Sequence, residues 1–304
     1  MPIALIDNVS VDSITSVVES SFDDAKRSFE MPQRTIWQEI ATQIDGRGVE
    51  EVLHDWFENL APMRAWTGGK HFADMVERQY KTTHRFYEAS VRMKRDQLMH
   101  RIRSQGFGAA AMGITNKLAA RAAVNDEIQT LAALVANTLL GYDGKALLAT
   151  DHPDGGGQSN LDAGGGGQRW YLCSLGHEVG PLLRILGDDY LIRDHAGEET
   201  AENFFNRMLY WSVEFKGGYY PGLWQTIYGS NQTLNATNFD AAMQAMAALK
   251  DYHGDELGIV PTHIVVGRSN WRPARALLAP ATITTGGENV DKGAVEILYS
   301  PRLP

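Results

Sequence analysis

The chain has 304 residues, 43% of them hydrophobic, and a formal net charge of −9. A chain of this size can bury a core without metal or disulfide. The acidic balance argues against a domain built to grip nucleic acid through phosphates, and the single cysteine, Cys173, excludes a disulfide-stapled scaffold and fits a reducing compartment.

At the start, MPIALIDNVSVDSITSVV carries Asp7 and Asp12 where a secretory signal needs basic residues. No apolar run approaches the roughly 18 residues of a membrane helix. Ile14, Val17, Val18 and Phe22 follow a helical period, as do Ile36, Trp37, Ile40 and Ile44 up to Asp45-Gly46. The spacing of Val52, Leu53, Trp56, Phe57 and Leu60 predicts a further helix over 50–60. Residues 61–100 change character. PMRAWTGGK holds a Gly-Gly turn, and HRFYEASVRMKRDQL alternates with a period near two, which predicts a strand in a long extended hairpin. Arg85, Arg92, Lys94, Arg95 and Arg101 concentrate positive charge there.

Residues 115–140 give the clearest helix. Leu118, Val124, Ile128, Leu131, Val135 and Leu139 are expected on its core face, with alanines raising helix propensity. Seven glycines fall between 155 and 167, so 141–168 is expected to be a mobile surface loop. The stretch 169–230 reads as β-rich through RWYLCSL, PLLRIL, DDYLIRD, RMLYWSVEF and LWQTIYGS. Beyond it, Thr237-x-x-Asp240 resembles a capping box before a helix bearing Phe239, Met243, Met246 and Leu249. HIVVG is a short buried strand, a helix runs through Arg275–Leu278, and GAVEILYS is a last strand.

Catalytic patterns are missing. Gly144-Lys145 is followed by Ala146, so there is no P-loop, and Gly106, Gly108 and Gly113 lack dinucleotide-fingerprint spacing. No G-x-S-x-G occurs, and Cys173 in WYLCSL reads as a buried small hydrophobe. Asp151, His152 and His177 are the best candidates for a metal-dependent hydrolase, the alternative to a structural role. Yet no H-x-x-x-H or H-x-H pair is present, and Asp-His-Pro reads better as a turn. A secreted or tail-type adhesin is a third reading, suggested by the β-rich middle and the glycine loop. Phe86 and Tyr87 interleave with the 85–101 cations as in a nucleic-acid site, but Glu88 and Asp96 interrupt them, and a subunit contact is favoured. No catalytic residue, metal or cofactor is expected.

Eight stretches in order resemble the major head (capsid) subunits of Mu-like tailed phages: PMRAWTG (62–68), FYEASVRMKRDQL (86–98), GYDGKALLATDHPDGGGQSN (141–160), RWYL (169–172), GLWQTIYGS (222–230), TNFDAAMQAMAALK (237–250), LGIVPTHIVVG (257–267) and GAVEILYSPRLP (293–304). Two departures stand out: Arg95 is followed by one acidic residue, Asp96, rather than a pair, and the first sixty residues match weakly.

This resemblance implies an α+β chain of the Hong Kong 97 type. Its parts would be an N-terminal arm (1–60), an extended loop (61–105) and a peripheral domain (106–230) with a spine helix at 115–140. An axial α/β domain (231–290) and a C-terminal strand (291–304) would complete it. It implies a structural, non-enzymatic subunit that assembles with itself, as pentamers and hexamers, into an icosahedral shell around double-stranded DNA. Scaffold or protease, portal and decoration proteins are the implied partners, with no sequence-specific DNA binding and no membrane. The expected location is the virion, after assembly in the host bacterial cytoplasm. Arg85, Arg92, Lys94 and Arg95 are the expected inter-subunit contacts.

Overall fold

The computed structural model describes residues 11–30, 35–57, 77–194, 208–251, 254–282 and 287–304. PMRAWTG and the rest of 58–76 lie outside them. In chain order the elements are α1 (Val11–Glu30), α2 (Trp37–Ile40), β1 (Ala41–Asp45), β2 (Glu51–Phe57), β3 (Glu77–Thr83), β4 (Arg85–Lys94), α3 (Arg95–Gln105) and α4 (Phe107–Ala136). There follow β5 (Leu161–Asp162), β6 (Trp170–Cys173), β7 (Leu182–Asp194), β8 (Met208–Pro221), β9 (Ile227–Ser230), α5 (Ala236–Ala247), β10 (His263–Val266), α6 (Trp271–Leu278) and β11 (Glu296–Tyr299).

Two compact units share the chain. The first draws on Met1–Thr35, His84–Glu127 and Leu186–Gly217. Its core joins Ile14, Val18 and Phe22 of α1, Leu98 and Ile102 of α3, Ile114 and Leu118 of α4, and Leu209, Trp211 and Val213 of β8. The α1 stripe predicted from the sequence therefore packs on this chain's own core. Trp211 Nε1 donates to Thr15 Oγ1 at 3.2 Å, and Thr15 Oγ1 donates to Asp194 Oδ2 at 2.7 Å. That chain satisfies a buried indole N–H that would otherwise be orphaned.

The second unit draws on Ile36–Thr83, Ile128–Ile185 and Gly218–Pro304. Its sheet has the order β11-β10-β6-β9-β5, with β10–β11 parallel and β10–β6 and β6–β9 antiparallel. Trp170, Leu172, Ile264 and Val266 are buried there with Phe239 and Met246 of α5 and Ala274 and Leu278 of α6. Cys173 lies in this core, where burial pushes its thiol well above the ordinary range.

Several expectations are corrected. Residues 51–57 form strand β2, not a helix, and pair antiparallel with β3 from Glu51↔Thr83 to Phe57↔Glu77. His54 bonds Thr82 across the ribbon at 3.0 Å, so cross-strand pairing overrides an apolar spacing that short runs share with helices. The expected hairpin is thus built by β2 and β3. Of the strand predicted over HRFYEASVRMKRDQL, Arg85–Lys94 exist as β4, which pairs with β8 from Arg85↔Gly217 to Lys94↔Met208, while the closing RDQL opens helix α3 instead. The Ile36–Ile44 stripe splits into one helical turn and β1.

Helix α4 starts at Phe107 and stops at Ala136, earlier at both ends than predicted. Leu118, Val124 and Leu131 are buried as expected, but Ile128 is 41% and Val135 46% exposed. The buried row runs instead through Ile114, Leu118, Ala122, Thr130 and Leu134, mostly at steps of four. The cap of α5 is Asn235, whose side chain accepts the Asn238 N–H at 2.9 Å, rather than Thr237.

Candidate functional site

Two polar regions were singled out by sequence, and the structure treats them oppositely. The first is the strip formed by β4 and α3, which carries six Arg or Lys against two carboxylates. Along β4 the odd-numbered Tyr87, Ala89, Val91 and Met93 turn toward the first unit's core, while Phe86, Glu88, Ser90, Arg92 and Lys94 are exposed on the other face. Arg92 and Lys94 therefore share a face, and Arg95 follows at the start of α3. Arg85 sits at the far end of β4 with the opposite parity. At roughly 3.3 Å per residue it is about 30 Å from Lys94. The four predicted contacts are all exposed, but they do not form one cluster.

β4 is also the outer member of the order β1-β7-β8-β4. No strand pairs with its other edge among the described residues. Phe86 is 80% exposed, with Lys216 Nζ 5.6 Å from its ring centre. On the neighbouring strands Arg193 and Glu214 approach to 3.7 Å. An uncovered edge with exposed charge and one exposed aromatic suits pairing with another chain.

The second region is the glycine-rich stretch 141–168, expected to be mobile. Instead it is pinned. His152 is fully buried and stacks on Trp224, ring centres 3.9 Å apart and 3° from parallel. Its Nδ1 lies 2.6 Å from Asp143 Oδ2 and its Nε2 3.0 Å from Asn160 Oδ1. Asn160 is oriented by its other bonds. Its Nδ2 donates to the carbonyls of Leu147, Trp224 and Ile227, and its Oδ1 accepts the Ala149 N–H. Both imidazole nitrogens thus face oxygen acceptors. Burial alone would raise the pKa of Asp143. The hydrogen bonds from His152 and from the Lys145 N–H outweigh it and hold the carboxyl below its ordinary value. Tyr142 donates to Asp154 at 3.2 Å and accepts from Gln225 Nε2 at 2.7 Å. Burial, then the nearby Asp154 carboxylate, pushes the Tyr142 phenol up.

The glycines pack too. Gly167 N–H donates to the Asn231 carbonyl at 2.8 Å, and a Cβ on Gly165 would lie 2.9 Å from the Gln232 backbone. Gly165 has φ +82°, which only glycine adopts readily.

This geometry does not build a hydrolase. Asp151 is exposed and paired with Lys145, His152 is sealed between Asp143 and Asn160, and His177 bonds Ser174 instead. Among the described residues no group of three His, Cys, Asp or Glu is placed to hold a metal ion. Sequence reasoning missed the web because its members are spread over residues 142–225. The stretches GYDGKALLATDHPDGGGQSN and GLWQTIYGS, which hold its members, were its visible traces.

A family model described as Mu-like prophage major head subunit gpT matches residues 11–303. The Mu-like prophage FluMu major head subunit of Haemophilus influenzae is 24% identical over 270 residues, 84% of this chain and 85% of the relative. Among solved structures, the capsid of bacteriophage JBD30 aligns with a TM-score of 0.76 at 18% identity, over 89% of this chain and 91% of that one. The procapsid of the same phage aligns with a TM-score of 0.73 at 23% identity, over 97% of this chain and 100% of that one. The fold is therefore of the Hong Kong 97 type.

Proposed function

This chain belongs to the family of Mu-like prophage major head subunits, a structural component of the phage capsid, and from that premise we propose how it assembles. The family match over almost the whole chain carries the reading. Copies close into an icosahedral shell of pentamers and hexamers around double-stranded DNA, a head-to-tail arrangement that must close on itself. Assembly takes place in the host bacterial cytoplasm with scaffold or protease and portal proteins, and decoration proteins complete the set. The subunit performs no catalysis. Its net charge of −9 favours a lining that encloses DNA without binding it tightly. Residues 1–60 serve as the arm, whose β2 pairs with β3 of the extended loop (61–105), with 106–230 as the peripheral domain around the helix at 115–140, 231–290 as the axial domain and 291–304 as the returning strand.

Arg92, Lys94 and Arg95, with Arg85 at the far end of β4, contact a neighbouring copy. The uncovered edge and the exposed cations of β4 support this assignment. The test is sedimentation and negative-stain imaging of the chain with its scaffold supplied, beside Arg92→Glu/Lys94→Glu, with circular dichroism as the folding control. Shells from the wild type and a folded, poorly assembling double variant are expected. A wild type that stays a monomer under all conditions overturns the shell. Normal assembly of the double variant overturns only the contact.

A further inference from the structure

The second unit carries two unneutralised surfaces of opposite charge. One is an open groove of about 720 Å³ along α6, lined by Trp271, Arg272, Arg275, Ala276, Ala279 and Pro280. Its floor is apolar, and its charge is wholly positive. The Arg275 guanidinium lies 5.5 Å from the Trp271 ring centre, and Trp271 rests on Tyr299 of β11 with ring centres 4.6 Å apart. Arg272 and Arg275 are exposed, and among the described residues neither makes an ion pair.

The other surface is a small hairpin. Leu257 N–H donates to the Leu249 carbonyl at 2.8 Å, Asp251 N–H donates to the Asp255 carbonyl at 2.9 Å, and the backbones of Lys250 and Glu256 pair as an antiparallel bridge. Asp255 and Glu256 are exposed on it, and among the described residues neither has a cationic partner. Just beyond, Val260 is 63% exposed, an apolar side chain beside the acidic turn. The hairpin leads into the His263 end of β10, whereas α6 follows from its Val266 end.

The geometry points to a second inter-subunit contact: the α6 groove of one copy receives the acidic hairpin of the next, with Asp255 and Glu256 against Arg272 and Arg275 and Val260 against the apolar floor. This rests on the self-assembling reading above and adds an interface to it. The occupant is a second copy because the complementary surface is on the chain itself. Two different patches, one per partner, form the heterologous contact that a closed ring requires. Complementary charge would fix register and speed encounter.

A charge swap tests it on the full chain with scaffold supplied. Particle yield is read by sedimentation and imaging, with circular dichroism on every variant. Arg272→Glu/Arg275→Glu and Asp255→Lys/Glu256→Lys are each expected to lower yield about tenfold or more while staying folded. The fourfold variant carrying both swaps is expected to recover most of the wild-type yield, because the attraction is reversed rather than removed. Unimpaired assembly of either pair overturns the contact, and so does a fourfold variant no better than the pairs. A wild type that forms no particles overturns the shell itself, and this contact with it. A mixture of the two pair variants gives the same answer in trans. Association of the two variants beyond that of either alone, read by sedimentation because a five-membered ring cannot alternate them, supports pairing between copies, and no gain beside a rescued fourfold variant reassigns the pairing to within one chain.

Discussion

Along β4 every second side chain reaches water, whereas between Tyr142 and Asn160 the side chains of Tyr142, Asp143, His152, Asp154 and Asn160 turn inward and bond one another. Both stretches are rich in charge, and neither has a strong apolar period. They differ in what lies opposite. The outward face of β4 is exposed, so its charges meet solvent, and among the described residues a strand pairs with only one of its edges. The 142–160 stretch lies under Trp224 and the carbonyls around Ile227, where each polar atom must find a partner. Exposure of the first leaves it available to another copy, while enclosure makes the second a staple of its own unit.

The contrast is broken most easily at His152. His152→Ala removes the Trp224 stack and leaves the Asp143 carboxylate buried without its partner. A loss of about 3–5 kcal/mol in urea unfolding is expected, the scale of breaking a buried pair. A loss below about 1 kcal/mol, the scale of an exposed pair, would place the web with the strip. Acidity sharpens the same point. Because Asp143 is held below its ordinary value, its contribution is full above the unfolded value near about 3.9 and fades as pH falls through the folded one. The stability gap between wild type and Asp143→Asn should therefore narrow as pH drops below about 4. A gap that stays constant from neutrality down to pH about 3 would refute the depressed carboxyl.

Next in size is α4. Leu131→Ala should cost about 2–5 kcal/mol, and Ile128→Ala, three residues earlier on the exposed side, only about 0.5. Equal losses in thermal unfolding would show that Ile128 is covered. Asn235→Ala removes the α5 cap and should cost about 1 kcal/mol, seen as a lower urea midpoint. Smallest is the strip. Arg92→Glu/Lys94→Glu should change the stability of the unassembled subunit by no more than about 0.5 kcal/mol, whatever it does to assembly.

The two regions also show what could be read from sequence. Strong periodicities carried over: α1, the buried HIVV strand and the helix bearing Phe239 stand where the pattern put them, and α4 does so with both ends shifted, while the weaker alternation of β4 also marked a strand. Short apolar runs did not, since Val52 to Phe57 fits a strand as well as a helix until Thr82 and Tyr80 are known to lie opposite. Glycine content misled at 141–168, because close seating against Asn231 and Gln232 needs glycine as much as flexibility does. His152 and Trp224 come together only through tertiary packing, which no local spacing encodes. The cations of β4 were legible as charge. That Arg85 is separate from Arg92 and Lys94 follows from strand parity and length, which became clear once the partner was β8.

The parallel pairing of β11 with β10 bears on the timing of synthesis. The second unit begins at Ile36, yet its sheet is completed by Glu296–Tyr299, and Leu303 fills its core. At roughly 5–20 residues per second, a ribosome takes on the order of 15–50 s to travel that distance. The first unit needs nothing beyond Gly217. A nascent chain is therefore expected to carry one finished unit and one open unit during the last part of its translation. Ribosome-bound chains stalled near residue 290 should resist protease in the first unit and be cut in the second. Equal protection of both would show that β11 arrives at a sheet already closed. On this schedule the α6 groove matures only after the strand that seats Trp271 has emerged, so ring contacts are reserved for chains whose synthesis has passed β11.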